Sequence, residues 1–318
     1  MRTIGIEYPA PNRMHFCELG DPGELSPSQI LIRTEFSGIS NGTERHAMLG
    51  EFTWKHFPGR HGYQHVGIIE ATGNEVEGFN TGERVFYGAY VGHRAWHIVD
   101  TENGPPLLIT LPDDIDHPYC ALFGVAGVGL RCVRRVRVRP AQKVWVVGQG
   151  LIGGFAAQAA RAYGAHVTVT DIDENRLSLA RSCGTHRVLD ACDERVFEQL
   201  KEGGPYDIVI DGSGYKDLFF DIQEHALLAR RGVIGALAVR GETTFDWSML
   251  HQRELSVEVS CHFAVEDLTI LRHFVREHII HIKPVVSHRV SIDEAPDIYT
   301  ILRDRPAELL GVIFDWYD

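Results

Sequence analysis

Gly148, Gly150 and Gly153 stand in the string Val144-Trp145-Val146-Val147-Gly148-Gln149-Gly150-Leu151-Ile152-Gly153. This is GxGxxG directly after an apolar run and directly before a helix-forming one. The first glycine permits a tight turn, the second lets backbone approach a pyrophosphate, and the third lets the helix pack on the strand. The helix start offers free N–H groups and a partial positive charge to phosphates. Gly148, Gly150, Leu151, Ile152 and Gly153 are therefore read as a dinucleotide cradle. Glycine makes up 32 of 318 residues, so the string alone is a weak signal and its context has to carry it. The next strand ends at Asp171, 171 − 153 = 18 residues on, near the expected interval of about 20. A carboxylate there accepts hydrogen bonds from an adenosine ribose and repels a 2′-phosphate, so NAD is expected rather than NADP. Arg176 either flanks the adenine or ribose or is an exposed helical arginine. Ser213, in Asp211-Gly212-Ser213-Gly214, follows a later strand. Its backbone either meets a nicotinamide ribose or simply turns the chain.

Such a cradle needs a strand–helix alternation to hold it. Lys143–Val147 reads as an apolar strand and Gly153–Tyr163 as an alanine-rich helix. Strand His166–Thr170, helix Glu174–Ser182 and strands Arg187–Leu189, Tyr206–Ile210, Gly232–Val239 and Leu255–Val259 continue the series. The alternation implies parallel pairing and a doubly wound sheet. Before it, short β-type runs at Gln29–Phe36, Gly67–Ala71 and Arg84–Phe86 are punctuated by turn formers, as in a β-rich, barrel-like unit ending near Leu111-Pro112. After it come an amphipathic helix near Glu266–His278 and strands near Val285–Val290 and Gly311–Phe314.

Composition sets outer limits. With 31 Lys+Arg against 43 Asp+Glu, the net charge is −12. An acidic chain repels phosphate backbones, so nucleic acid is not an expected partner. Six scattered cysteines form no CxxC pair, which argues against a disulfide scaffold or zinc ribbon. The first twenty residues carry no apolar signal core, and the longest uncharged apolar stretch, Val144 to Ala160, is too short to span a bilayer. A cytoplasmic protein without a membrane partner is expected.

The motifs Ser37-Gly38-Ile39-Ser40-Asn41-Gly42-Thr43-Glu44, Gly62-Tyr63-Gln64, Asn80-Thr81-Gly82-Glu83-Arg84-Val85 and the Gly148–Gly153 cradle together resemble the medium-chain dehydrogenases/reductases, over essentially the whole chain. The first string is most similar to a subgroup containing the bacteriochlorophyllide hydroxyethyl dehydrogenases, a kinship that assigns no substrate. The resemblance implies an α/β fold: a GroES-like β-rich catalytic domain (1–117 and 264–318) and a Rossmann NAD-binding domain (118–263). It also implies a homodimer, commonly through edge strands of the cofactor domain.

In the zinc-type members, the three catalytic ligands fall where this chain has Ser40, Tyr63 and Leu122 or Phe123. Zinc takes Cys, His or carboxylate ligands, which these positions do not supply. The stretch from Arg84 to Thr110 has no cysteine for the family's structural zinc loop. No metal is therefore expected, although His46, His61 and His65 lie close enough in sequence to rebuild a site. Without a metal, the proton on the substrate oxygen has to be managed by side chains. The resemblance puts the Ser40 and Tyr63 hydroxyls where the metal would have been. Tyr63 is the first choice as proton donor or acceptor, with Ser40 orienting the substrate oxygen and Gln64 holding either. Glu44 and His46 continue a proton path to solvent, and Trp54 and Tyr90 shape the pocket. The resulting expectation is a zinc-independent oxidoreductase moving a hydride between NAD(H) and a secondary alcohol or ketone, with a polar sugar-like, polyol or secondary-metabolite substrate. Two alternatives stay open: an enoyl or quinone reductase using NAD(P)H, and a non-catalytic cofactor-binding protein.

Overall fold

The computed structural model describes residues 3–52, 56–102, 104, 106–238 and 242–317. Two compact units divide the chain, residues 1–124 with 282–318 and residues 125–281. The second crossing falls at 281/282, later than the sequence-based boundary at 263/264. The difference is one helix, described below, whose buried aspartate is tied to arginines of the second unit.

The first unit begins with a hairpin of β1 (Ile4–Glu7) and β2 (His15–Glu18). Its central strand is β3 (Gln29–Gly38), followed by helix α1 (Asn41–Leu49). The strands β4 (His65–Thr72), β5 (Arg84–Tyr87), β6 (Trp96–Asp100) and β7 (Leu108–Thr110) come next. Ile30, Ile32 and Thr34 alternate inward along β3, the period-2 pattern of a strand with one buried face. With Ile69, Val85, Val99 and Leu108 these isoleucines form an apolar core. Gly67 on β4 lies against β3 so closely that a Cβ there would stand 2.2 Å from the Arg33 carbonyl oxygen.

The second unit is entered through α2 (Phe123–Arg135) and then alternates. Its elements are β8 (Lys143–Val147), α3 (Leu151–Ala162), β9 (His166–Asp171), α4 (Glu174–Ser182), β10 (Arg187–Asp190) and α5 (Val196–Gly203). They continue through β11 (Tyr206–Asp211), α6 (Leu218–Glu224), β12 (Leu228–Ala236), α7 (Trp247–Arg253), β13 (Ser256–Val259) and α8 (Val265–Arg276). The six strands pair in parallel in the order β10-β9-β8-β11-β12-β13. The order reverses between β8 and β11, the switch point where ligands bind in such sheets. Val144, Val146, Val167, Val169, Val209 and Ile210 are fully buried, as expected of strands covered on both faces. Asp267 of α8 is buried and salt-bridged to Arg131 and Arg134 of α2.

The chain then returns to the first unit with β14 (Val286–Ser291), α9 (Ala295–Asp304) and β15 (Gly311–Asp315). β15 pairs antiparallel with β3 and completes a seven-stranded sheet, β14-β15-β3-β4-β5-β7 with β6 also on β3. α9 buries Ala295, Ile298, Tyr299 and Leu302, spaced i, i+3, i+4, i+7, against Ile6, Tyr8, Ile39 and Met48. Among the described residues no helix is long and apolar enough to cross a membrane.

Candidate functional site

Two constellations emerge, one in each unit. In the first unit, Ser40 caps α1 and Tyr63 lies just before β4. The Tyr63 hydroxyl donates to Ser40 Oγ at 2.9 Å, and both residues are 2% exposed. Gln64 is fully buried and donates from Nε2 to the Gly38 carbonyl at 3.2 Å, bracing the Tyr63 segment against β3. Gly124 gives this corner room: a Cβ there would stand 2.6 Å from Gln64 Cγ and 2.8 Å from the Tyr63 ring. Tyr90, half exposed, packs its ring on Tyr63 at 4.7 Å between centroids. Trp54 lies outside the described residues.

Glu44 is one turn along α1 and has no solvent exposure. Its Oε1 accepts the Ser40 backbone N–H at 2.8 Å. Its Oε2 accepts the Tyr299 hydroxyl at 2.6 Å and faces His93 Nε2 at 3.0 Å. Burial works to raise this carboxyl, but the facing His93, with the Tyr299 hydroxyl and the Ser40 N–H, outweighs it and holds the group below the usual carboxylate range. Burial, with the Glu44 charge added, pushes the Tyr299 hydroxyl well above the usual phenol range. His93, also buried, faces Ser37 Oγ through Nδ1 at 2.8 Å, and Trp316 Nε1 donates to that same oxygen at 3.0 Å. Ser37 stood in the Ser37–Glu44 string without a role, and His93, Tyr299 and Trp316 were not singled out from sequence, because no local motif marks residues brought together from distant stretches.

His46 does not join this cluster. It sits two positions after Glu44 on α1, which turns it to another face. There it pairs with Glu51 and packs on Phe52, partly exposed. A proton path from Glu44 through His46 is therefore corrected by helix geometry. The three sequence-neighbouring histidines do not converge on a metal either. His61 stacks on Tyr8 at 5.5 Å, and His65 packs on His97 at 4.3 Å. Ser40, Tyr63 and the fully buried Leu122 and Phe123 offer two hydroxyls and hydrocarbon. That donor set does not fit a catalytic zinc. Among the described residues, the one trio of ligand atoms close enough to share an ion is Asp221, Glu224 and His225, in the second unit.

In the second unit, the glycines behave as their spacing required. Gly148 adopts φ +84°, and a Cβ on it would meet Ser213 Cβ at 2.8 Å. Gly153 packs so tightly under the strand that a Cβ would stand 2.0 Å from the Gly148 carbonyl oxygen. Gly150, the residue before α3, has nothing within 4 Å of its Cβ position. The first turn of α3, with Leu151 and Ile152, leaves its N–H groups free of intrahelical partners. Asp171 ends β9, nearly buried, with Oδ2 accepting the Gln149 N–H at 2.5 Å and Oδ1 the Asp173 N–H at 2.9 Å. Each oxygen keeps a lone pair for a further donor. Asp211 Oδ1 accepts the N–H groups of Ser213 and Gly214 at 3.1 and 3.0 Å, fixing the turn after β11. Gly148, Gly150, Asp171, Arg176 and Ser213 line one cleft of about 570 Å³ at the carboxyl ends of the strands. Its floor is apolar, with Trp145, Phe197 and Leu200. This cradle fits a dinucleotide: unpaired amides for a pyrophosphate, a carboxylate for a ribose and apolar walls for a base.

Two family models match the chain, an alcohol dehydrogenase GroES-like domain at residues 26–145 and a zinc-binding dehydrogenase domain at 152–276. An L-threonine 3-dehydrogenase of Anaeromyxobacter sp. (strain Fw109-5) is 25% identical over 92% of this chain and 93% of its own length. A zinc-type alcohol dehydrogenase-like protein of Schizosaccharomyces pombe is 31% identical over 60% of this chain and 58% of its own. The solved structure of an oxidoreductase/dehydrogenase of unknown specificity from Escherichia coli superposes with a TM-score of 0.87 at 19% identity, covering 100% of both chains. With both domains matched in order and the parallel sheet in place, the chain belongs to the medium-chain dehydrogenase/reductase superfamily of the zinc-type alcohol dehydrogenase kind.

Proposed function

We propose that this chain is an NAD-dependent oxidoreductase that interconverts a secondary alcohol and its ketone without a catalytic zinc. The observation that carries this reading is the buried Tyr63–Ser40 hydroxyl pair, 2.9 Å apart, at positions where the family resemblance puts metal ligands. When bound, the nicotinamide supplies or accepts the hydride. The chain's own residues manage the proton. In the reduction direction Tyr63 gives a proton to the substrate oxygen as that oxygen gains an electron pair, and in oxidation it takes the proton back. Ser40 orients the oxygen, Gln64 braces the Tyr63 segment, and Glu44 secures Ser40. A positioned general acid of this kind contributes about 10²–10⁴-fold in rate. Gly148, Gly150, Leu151, Ile152 and Gly153 hold the pyrophosphate, Asp171 the adenosine ribose and Ser213 the nicotinamide side. Asp171 is the ground for NAD over NADP, since its charge opposes a 2′-phosphate; Arg176 flanks the same end of the cleft.

The substrate class is a small polar secondary alcohol of the sugar, polyol or secondary-metabolite type. The threonine dehydrogenase relative is in keeping with such a substrate. The proposal includes a cytoplasmic homodimer paired through β13, an edge strand with Val259 65% exposed. The test is a panel of secondary alcohols, L-threonine among them, followed at the nicotinamide absorbance band with NAD or NADP, before and after chelator treatment. NAD-linked turnover that survives complete metal removal is expected. Activity lost with the chelator and restored by zinc would overturn the zinc-free mechanism.

A further inference from the structure

The hydroxyl pair is the end of a longer buried chain of hydrogen bonds. Trp316 Nε1 donates to Ser37 Oγ at 3.0 Å, and an indole N–H can only donate. Ser37 therefore receives there and has its own proton to give to His93 Nδ1, 2.8 Å away. That leaves the imidazole proton on Nε2, which faces Glu44 Oε2 at 3.0 Å. Glu44 Oε1 in turn accepts the Ser40 backbone N–H at 2.8 Å, and Ser40 Oγ accepts from Tyr63 at 2.9 Å. The backbone around His93 is fastened to the stretch just before Tyr63. The His93 N–H donates to the His61 carbonyl, and the Val91 and Gly92 N–H groups donate to the Gly62 carbonyl. Gly62 makes this approach possible, with φ +127° and a would-be Cβ 2.8 Å from the His93 ring. One imidazole thus braces both members of the pair: Ser40 through the Glu44 carboxylate and Tyr63 through the 61–62 backbone.

We propose that His93, held as its Nε2–H form by Ser37 and Trp316, is a positioning residue that sets the Ser40–Tyr63 geometry through Glu44. This rests on the proposed role of that hydroxyl pair. Misplacing a reacting group by about 1 Å can cost about 10²-fold in rate, so the effect belongs in turnover rather than in cofactor binding.

Two substitutions separate the links. His93→Gln can keep a donor near the Nε2 position for Glu44 and loses the Ser37 contact. His93→Asn keeps a polar atom near Nδ1 for Ser37 and loses the Glu44 contact. Expected is a fall in kcat of about 10- to 100-fold for His93→Asn with KM for NAD unchanged, and recovery of most of that loss in His93→Gln. Equal losses in both variants, or a loss confined to KM, would overturn the inference. Nitrogen-15 NMR of the histidine rings in the wild-type protein reads the tautomer with no variant and no substrate. A proton on Nδ1 with Nε2 bare would overturn it outright. If the wild-type protein oxidises no alcohol while the ring carries its proton on Nε2, the functional reading fails and the hydrogen-bond chain stands.

Discussion

The Tyr299 hydroxyl reaches back across 255 residues of sequence to donate to Glu44 Oε2 at 2.6 Å, in a site with no exposure to solvent. Removing it leaves a buried carboxylate one donor short. Tyr299→Phe is expected to destabilise the protein by about 1–3 kcal/mol, read as a lower midpoint in chemical denaturation. An unchanged midpoint would mean that Glu44 is satisfied without it.

Tyr63→Phe keeps the ring against Tyr90 and removes only the hydroxyl. Turnover is expected to drop by about 10²–10⁴-fold, with NAD affinity little changed. Near-normal turnover would sink Tyr63 as the proton carrier.

Gly150 and Gly153 make a contrasting pair. Gly153→Ala forces a methyl onto the Gly148 carbonyl oxygen, so both the melting temperature and dinucleotide affinity are expected to fall. Gly150→Ala meets no protein atom and is expected to fold normally while binding NAD more weakly. Thermal melts alongside NADH fluorescence titration distinguish the two, and parallel behaviour would refute the assigned roles.

Asp171→Ala removes the carboxylate proposed to hold the ribose. Loss of a hydrogen bond to a charged group, about 1.5–3 kcal/mol, corresponds to roughly 10- to 100-fold weaker NAD binding, with NADP affected far less. An unmoved ratio of the two KM values would show that the ribose lies elsewhere.

The His65–His97 pair sets a pH dependence. Both rings are buried, and none of their nitrogens has a hydrogen-bond partner among the described residues. Burial first, then neighbouring positive charge, holds both well below the usual histidine range. A depressed folded value means that the unfolded chain binds more protons as the pH falls. The stability these neutral rings carry is therefore full above the ordinary value of about 6.5 and lost progressively below it, at up to about 1.4 kcal/mol per pH unit per group. The melting temperature is expected to fall from pH 7 to pH 5, and His97→Leu is expected to flatten that slope. A slope unaltered by His97→Leu would assign the acid lability to other groups.

Much of the second unit could be read from sequence, because its signals are local. The GxGxxG string, the valine runs of β8 and β9 and the interval to Asp171 each depend on neighbours a few residues apart. The first unit was harder. α1 buries a charged residue, Glu44, on the face where a helical pattern calls for an apolar one, so its periodicity is blurred. α9 carries clear i, i+3, i+4, i+7 spacing, yet its tyrosine serves a carboxylate rather than the core alone. His93 has no motif: its partners stand 56 and 49 positions away, and only the paired strands bring them together. The hydroxyls at 40 and 63 and the carboxylate at 44 were legible as types, while that carboxylate's hold on the Ser40 backbone and the imidazole behind it were not.

The return of the chain to its first unit gives biosynthesis a fixed order. Glu44 and His93 leave the ribosome long before Tyr299 and Trp316, the residues that supply two of the donors in their cluster. While residues 125–281 are being made, the Glu44 carboxylate is still without the Tyr299 hydroxyl. The glycine-rich turn at Gly148–Gly153 is thus translated before the last two donors of the cluster around Glu44 and His93.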